Sequence, residues 1–259
     1  MRRALVTGAG QRLGRAMALY LGQRGFDVAV HYATSRDGAE ATAAEIAAMG
    51  CGAVALQADL LDDAATEALL PRAAGALGGP ITCLVNNASI FEQDDIISAS
   101  RESWDRHMGS NLRAPFVLTQ AMAGQGVSPE TDDRGEPRSS GLIVNMLDQQ
   151  VRNLTPEFAT YTIAKMGLWA MTRTTAQALA PAIRVNGIGP GPTLQGSHQD
   201  AGDFAAQRRA TVLGRGANPE DITAALGYFI DSPGVTGQLI CTDGGEHLQW
   251  EKSPRSPAN

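Results

Sequence analysis

"ALVTGAGQRLG", residues 4–14, decides the fold. A short apolar run, Ala4 to Val6, ends in a glycine-rich turn, and a helix-type pattern begins at once. In a doubly wound α/β fold the first strand-to-helix turn lies at the switch point of the sheet. There, backbone N–H groups and a helix N-terminus receive a pyrophosphate. Gly8, Gly10 and Gly14 suit such a turn, which must be tight and open to close approach by phosphate. Arg12 and Leu13 complete it, and Arg12 adds positive charge. A glycine-rich turn without a ligand would read the same way, so its position directly after the first strand carries the inference.

Outward from this turn, apolar runs at 4–6, 28–30, 53–56, 81–85, 141–147, 183–188 and 238–241 alternate with helix-type stretches. Those stretches, at 13–24, 38–49, 62–77, 101–123, 159–180 and 218–231, carry apolar residues at three- and four-residue intervals. Near-continuous apolar strands separated by helices imply a parallel sheet covered on both faces. No composition break interrupts the pattern, so a single domain is expected over residues 1–250. Residues 124–141 are polar and breaker-rich and read as an exposed loop, and 251–259 as a disordered tail. The polar, small-residue segment 193–212 reads as a mobile lid.

Composition excludes several classes of function. A net charge of −6 with no long basic run argues against nucleic acid. No apolar run is long enough to span a bilayer, and the first strand begins too early to leave room for a signal peptide. Cys51, Cys83 and Cys241 show no paired spacing, so neither a disulfide framework nor a metal site is expected. A cytoplasmic protein is the default reading.

The second strand points to one dinucleotide over another. NAD is held through its 2′-hydroxyl by an acid about 20 residues past the glycines. Here "VHYATSR", residues 30–36, offers His31, Tyr32, Thr34, Ser35 and Arg36, all able to donate to a 2′-phosphate. NADP(H) is therefore expected, although Asp37 would come into play under a small register change. Asp59 could meet the adenine amine or cap the next helix.

The chemistry is expected at the other end of the chain. "YTIAK" places Tyr161 and Lys165 on one helix face, where an ammonium would lower the phenol's pKa. Asn111 lies in a helical stretch as either a surface residue or the holder of a water near the lysine. "VNMLDQQ", residues 144–150, runs an apolar strand straight into Asp148. That carboxyl could take a raised pKa beside a phenol, or merely cap a turn or pair with Arg152.

TGxxxxxG, "NNA" at 86–88, Asn111, YxxxK at 161–165 and "PG" at 190–191 together resemble the short-chain dehydrogenase/reductase family, from residue 3 to about 248. The resemblance implies a Rossmann-type domain and hydride transfer from a nicotinamide. It assigns Asn111, Tyr161 and Lys165 to catalysis, and Asn87, Ala88, Ser89, Pro190 and Gly191 to cofactor contact. The family's usual serine, thirteen residues before the tyrosine, falls on Asp148. Arg12 also departs from the usual glycine, and "NNASIF" adds Ser89 and Phe91. These details are similar to the pteridine reductases and bacterial dihydromonapterin reductases.

That likeness implies a pterin-type substrate bound by Arg12, Ser89, Phe91, Asp148 and Tyr161, with Phe91 stacked on the pterin. The family usually forms homotetramers. Phe91 could equally be plain core, and Trp169 and Met171 read as core or subunit contact. The rival readings are a reductase of another carbonyl or imine, and an NADP(H)-binding sensor without turnover.

Overall fold

In a computed structural model of the chain, residues 2–196 and 199–249 are described. The tail expected at 251–259 lies outside them. The strands are β1 Arg3–Val6, β2 Asp27–Tyr32, β3 Ala53–Gln57, β4 Cys83–Asn86, β5 Glu130–Thr131, β6 Pro137–Arg138, β7 Gly141–Met146, β8 Ile183–Pro190 and β9 Leu239–Thr242. The helices are α1 Arg12–Gln23, α2 Arg36–Ala48, α3 Asp63–Ala76, α4 Arg101–Met108, α5 Ala114–Ala123, α6 Ala159–Leu179, α7 Ala201–Ala210 and α8 Pro219–Asp231.

Consecutive residues of one strand feed opposite sides of the sheet, since side chains alternate across a pleated strand. Ala4 and Val6 enter a core with Met17, Leu21, Ile222 and Phe229 from α1 and α8. Leu5 between them enters a second core with Leu69, Leu118 and Met122 from α3 and α5. In β7, Val144 joins the first core and Ile143 the second. Burial on both faces is why these strands read as unbroken apolar runs. Phe229 is fully buried, and its truncation to Ala would cost about 3–5 kcal/mol.

Seven parallel strands follow the order β3-β2-β1-β4-β7-β8-β9, a Rossmann-type sheet. The order reverses between β1 and β4, whose register pairs Val6 with Val85. That places the Gly8–Gly14 turn and the "NNA" stretch side by side above the strand ends. The β7–β8 register, Met146 with Ile188, brings Asp148 beside the end of β8 in the same crevice.

Three expectations need correction. The loop at 124–141 contains a two-stranded antiparallel hairpin, with Glu130 opposite Arg138. The continuous helix expected over 101–123 is interrupted by a π turn at Gly109–Arg113. The segment 193–212 is partly helical, because α7 lies inside it, and none of the α7 residues is buried.

Candidate active site

The turn after β1 is tightly built. Gly8 takes φ +63°, and a Cβ on Gly14 would stand 2.1 Å from the Gly8 carbonyl oxygen, so hydrogen alone fits there. Thr7, the first residue of the TGxxxxxG pattern, fastens the turn to β4. Its hydroxyl accepts from the N–H groups of Asn87 and Ala88, both at 2.9 Å, and donates to the Val85 carbonyl at 3.3 Å. The Asn87 side-chain amide donates to the carbonyls of Thr7 and Gly8 at 2.8 and 3.2 Å.

The start of α1 fits a dinucleotide pyrophosphate. Gln11, at the N-cap of α1, makes no side-chain cap, and the first turn holds no acid. The leading N–H groups of α1 are thus left to an anion. Leu13 packs partly against the core beneath. Arg12 adopts φ +53°, unusual for a residue with a side chain. Its guanidinium donates to the carbonyls of Leu194 and Gln195 at 3.1 and 2.9 Å, tying the turn to the segment after β8.

Beyond β2, Thr34 is exposed, and Ser35 caps α2 in position without a side-chain capping bond. The Ser35 hydroxyl lies beside Gly10, 2.5 Å from where a Cβ would be. With no acid before Asp37, this edge suits a 2′-phosphate. His31 and Tyr32 do not share it. His31 is 1% exposed. Its Nδ1 accepts from the Gly8 N–H at 3.0 Å and its Nε2 donates to the Ala58 carbonyl at 3.1 Å. Burial pushes its pKa down to about 4, consistent with a neutral ring supporting the turn from below. Tyr32 is buried in the core. Asp59 is exposed and accepts from Leu61 N–H, while the cap of α3 is Asp62.

At the chemical end, the Tyr161 hydroxyl donates to Asp148 Oδ2 at 2.8 Å. The other oxygen, Oδ1, accepts from Gln150 N–H at 2.8 Å, so Asp148 caps its own turn and meets the tyrosine at once. Arg152 lies over the Trp169 ring, 5.6 Å from its centroid, where the sequence left open a pairing with Asp148. Met171 is buried and packs beside Trp169. Lys165 Nζ donates to the Met146 carbonyl at 2.7 Å and lies 5.5 Å from the Tyr161 ring centroid.

Asn111 is buried within the π turn. Its side chain bonds both the N–H and the C=O of Ile90, each at 2.8 Å. That ties the amide to the loop bearing Phe91. A π turn at such a position is common at functional sites.

Burial governs the electrostatics. It pushes the Asp148 carboxyl above the usual carboxylate range, opposed by the Gln150 N–H, the Tyr161 hydroxyl and Lys165. Burial lowers Lys165 to about 8, opposed by Asp148. The Tyr161 phenol is pushed well up, by burial first and then by Asp148. The expected depression of the phenol by Lys165 is therefore reversed: burial first, and then the adjacent carboxylate, favour the neutral phenol.

Phe91 is 56% exposed, so it is not core. Its ring stacks on Phe158 at 4.3 Å and 18°, and meets Tyr161 edge-on at 4.7 Å. Phe158 escaped the sequence reading. It adopts a left-handed φ of +55°, a conformation no local pattern announces. Ser89 is exposed on the same loop and donates to the Ile90 carbonyl. Gly191, after Pro190, closes the crevice with its N–H on the Thr242 carbonyl at 3.1 Å. Among the described residues, no group of three or more His, Cys, Asp or Glu could hold a metal.

A nucleotide cradle, a Tyr161–Lys165 helix and a strand-end hydrogen-bonding group thus share one crevice. The family model described as enoyl-(acyl carrier protein) reductase matches residues 8–247. The chain belongs to the short-chain dehydrogenase/reductase family. Among curated relatives of this short-chain reductase is the 3-oxoacyl-[acyl-carrier-protein] reductase FabG of Staphylococcus aureus. The two are 30% identical over 250 residues, covering 95% of this chain and 98% of the relative.

Among solved structures, FolM alternative dihydrofolate reductase 1 from Brucella canis, complexed with NADP, is 41% identical with a TM-score of 0.87. That match covers 97% of this chain and 96% of the other. A short chain dehydrogenase from Burkholderia cenocepacia in complex with NADP is 29% identical with a TM-score of 0.83. It covers 95% and 97%.

Proposed function

We propose that this short-chain reductase uses NADPH to reduce a C=N bond in a flat, pterin-type ring. The observation that carries the reading is the Asp148–Tyr161 hydrogen bond of 2.8 Å, beside the exposed Phe91 ring. The likeness to a protein titled alternative dihydrofolate reductase supports it. The solved relatives bound to NADP, with the acid-free edge at Thr34 and Ser35, support the cofactor.

The cofactor, when bound, supplies the hydride to the ring carbon. The chain's residues manage the proton that the ring nitrogen must gain. Asp148, with its pKa raised by burial, can carry that proton and pass it directly or through the Tyr161 hydroxyl. Lys165, fixed on the Met146 carbonyl, holds positive charge near the pair. Phe91 offers a ring face for the substrate, and Arg12 and Ser89 line the approach. Asn111 holds the Phe91 loop through Ile90. Asn87, Ala88, Pro190 and Gly191 border the cofactor groove.

The segment 193–212 would act as a lid, since α7 buries none of its side chains. A homotetramer belongs to the same proposal, supported by the apolar face where Phe116 is 45% exposed. So does a cytoplasmic setting, supported by the free thiols of Cys51, Cys83 and Cys241. Among the described residues, no helix is long and apolar enough to cross a membrane.

NADPH oxidation with dihydrofolate, a short-chain dihydropterin and a 3-oxoacyl thioester tests the reading. Turnover of the pterins is expected. Turnover of the thioester alone would assign it to carbonyl chemistry, as the FabG likeness would have it. Binding of NADPH with no turnover would make it a sensor.

A further inference from the structure

Behind the Tyr161 helix lies a buried polar cluster that the proton pathway does not use. Helix α6 starts without a cap of its own: Phe158 provides no side-chain acceptor. Its first donors go instead to Asp94, which lies 66 residues earlier and is 5% exposed. The Asp94 carboxylate accepts from the Thr160 N–H at 3.1 Å and from the Thr160 hydroxyl. The Asp94 carbonyl takes the Ala159 N–H at 3.4 Å. Ser103 of α4 donates to the same carboxylate.

His107, fully buried on α4, joins this cluster. Its Nε2 accepts from the Glu92 N–H at 3.1 Å, so the proton of the neutral ring sits on Nδ1. Nδ1–H donates to the Thr160 hydroxyl at 2.7 Å, and that hydroxyl in turn donates to Asp94. Burial lowers the His107 pKa, in keeping with the neutral ring. Donors therefore run in one direction, from the imidazole through Thr160 to the carboxylate. The His107 ring also stands edge-on to Tyr161 at 6.0 Å.

We propose that Asp94, Thr160 and His107 form a positioning relay that sets Tyr161 against the Phe91 loop. Thr160 immediately precedes Tyr161, and Glu92 immediately follows Phe91. One end of the relay thus holds the proton-bearing helix and the other holds the ring that faces substrate. A hydroxyl bridging a carboxylate and an imidazole transmits a shift at either end to the other. The inference does not depend on the pterin reading, because Tyr161 serves a carbonyl substrate equally.

The test compares Thr160→Val with Thr160→Ser. Valine keeps the β-branched shape and the backbone N–H to Asp94 but breaks the hydroxyl bridge; serine restores it. Each variant is assayed with whichever of dihydrofolate, dihydropterin or 3-oxoacyl thioester the unaltered enzyme reduces. Thr160→Val should lower kcat about ten- to hundredfold, the scale of a misplaced reacting group, with KM for NADPH unchanged. Thr160→Ser should regain most of that loss. His107→Gln, which keeps an acceptor for Glu92, should mainly raise substrate KM. Wild-type kcat in Thr160→Val overturns the proposal. So does a loss that only tracks the folded fraction measured by circular dichroism.

Discussion

The Tyr161 hydroxyl points its proton at Asp148, 2.8 Å away, with the tyrosine buried and the carboxyl half-buried at the strand end. An alcohol at the same place could orient the tyrosine but could not ionise near neutral pH. A carboxyl whose pKa burial has raised can exchange a proton with the phenol and with a ring nitrogen. The chemistry proposed for this enzyme turns on that difference.

Cofactor preference follows from the edge beyond β2. With Thr34 and Ser35 exposed or half-buried and no acid before Asp37, NADPH should be used in preference to NADH. A charge-assisted hydrogen bond contributes about 1.5–3 kcal/mol, so kcat/KM should differ by at least about tenfold. Equal kcat/KM for the two cofactors would contradict the assignment.

Gly14→Ala should abolish productive NADPH binding, because its Cβ would stand 2.1 Å from a backbone oxygen that cannot swing aside. Calorimetric titration with NADPH checks this. Affinity like that of the unaltered protein would mean the turn is looser than described.

Phe91→Ala removes the ring that stacks on Phe158 and meets Tyr161. Pterin binding should weaken by about 1–3 kcal/mol, taking base stacking on aromatic side chains as the scale. NADPH binding should hardly change. Unaltered pterin KM and kcat would remove Phe91 from the substrate site.

His31 links the turn to pH. Its folded pKa is lowered from 6.5 to about 4, so between those values the unfolded chain binds more protons. Stability should therefore fall as pH drops through that window, by roughly 3 kcal/mol in all at 1.36 kcal/mol per unit. The contribution is intact above the unfolded value of 6.5. Urea unfolding of the protein and of His31→Asn at several pH values isolates it. Identical pH slopes would show that His31 is not held neutral.

Much of this was legible because it is local. The glycine turn, the strand runs and the Tyr161–Lys165 spacing are periodic or contiguous, so sequence alone displays them. His31 was misread because donor chemistry does not reveal which face of a fully buried strand a side chain takes. The tyrosine's electrostatics were reversed because Lys165 is near in sequence, while burial, the larger cause, and Asp148 act on it only through folding. Asp94, Thr160 and His107 come from three separate elements, and nothing in their spacing joins them. The hairpin at 130–138 was missed because each strand has only two residues and no apolar pattern.

Asp148→Ser is the most direct test of the central claim. Serine keeps a polar group at the strand end and removes the ionisable one. Steady-state kcat for a dihydropterin should fall roughly 10²–10⁴-fold, the usual contribution of a general acid or base. NADPH affinity and melting temperature should stay near those of the unaltered enzyme. Any activity on a simple ketone, which needs only Tyr161, Lys165 and an orienting hydroxyl, should persist or rise. The acidic limb of the kcat/KM profile should shift or vanish with the carboxyl. A serine enzyme with full pterin turnover and an unchanged pH profile would contradict the account, because the carboxylate would then have no part in the chemistry.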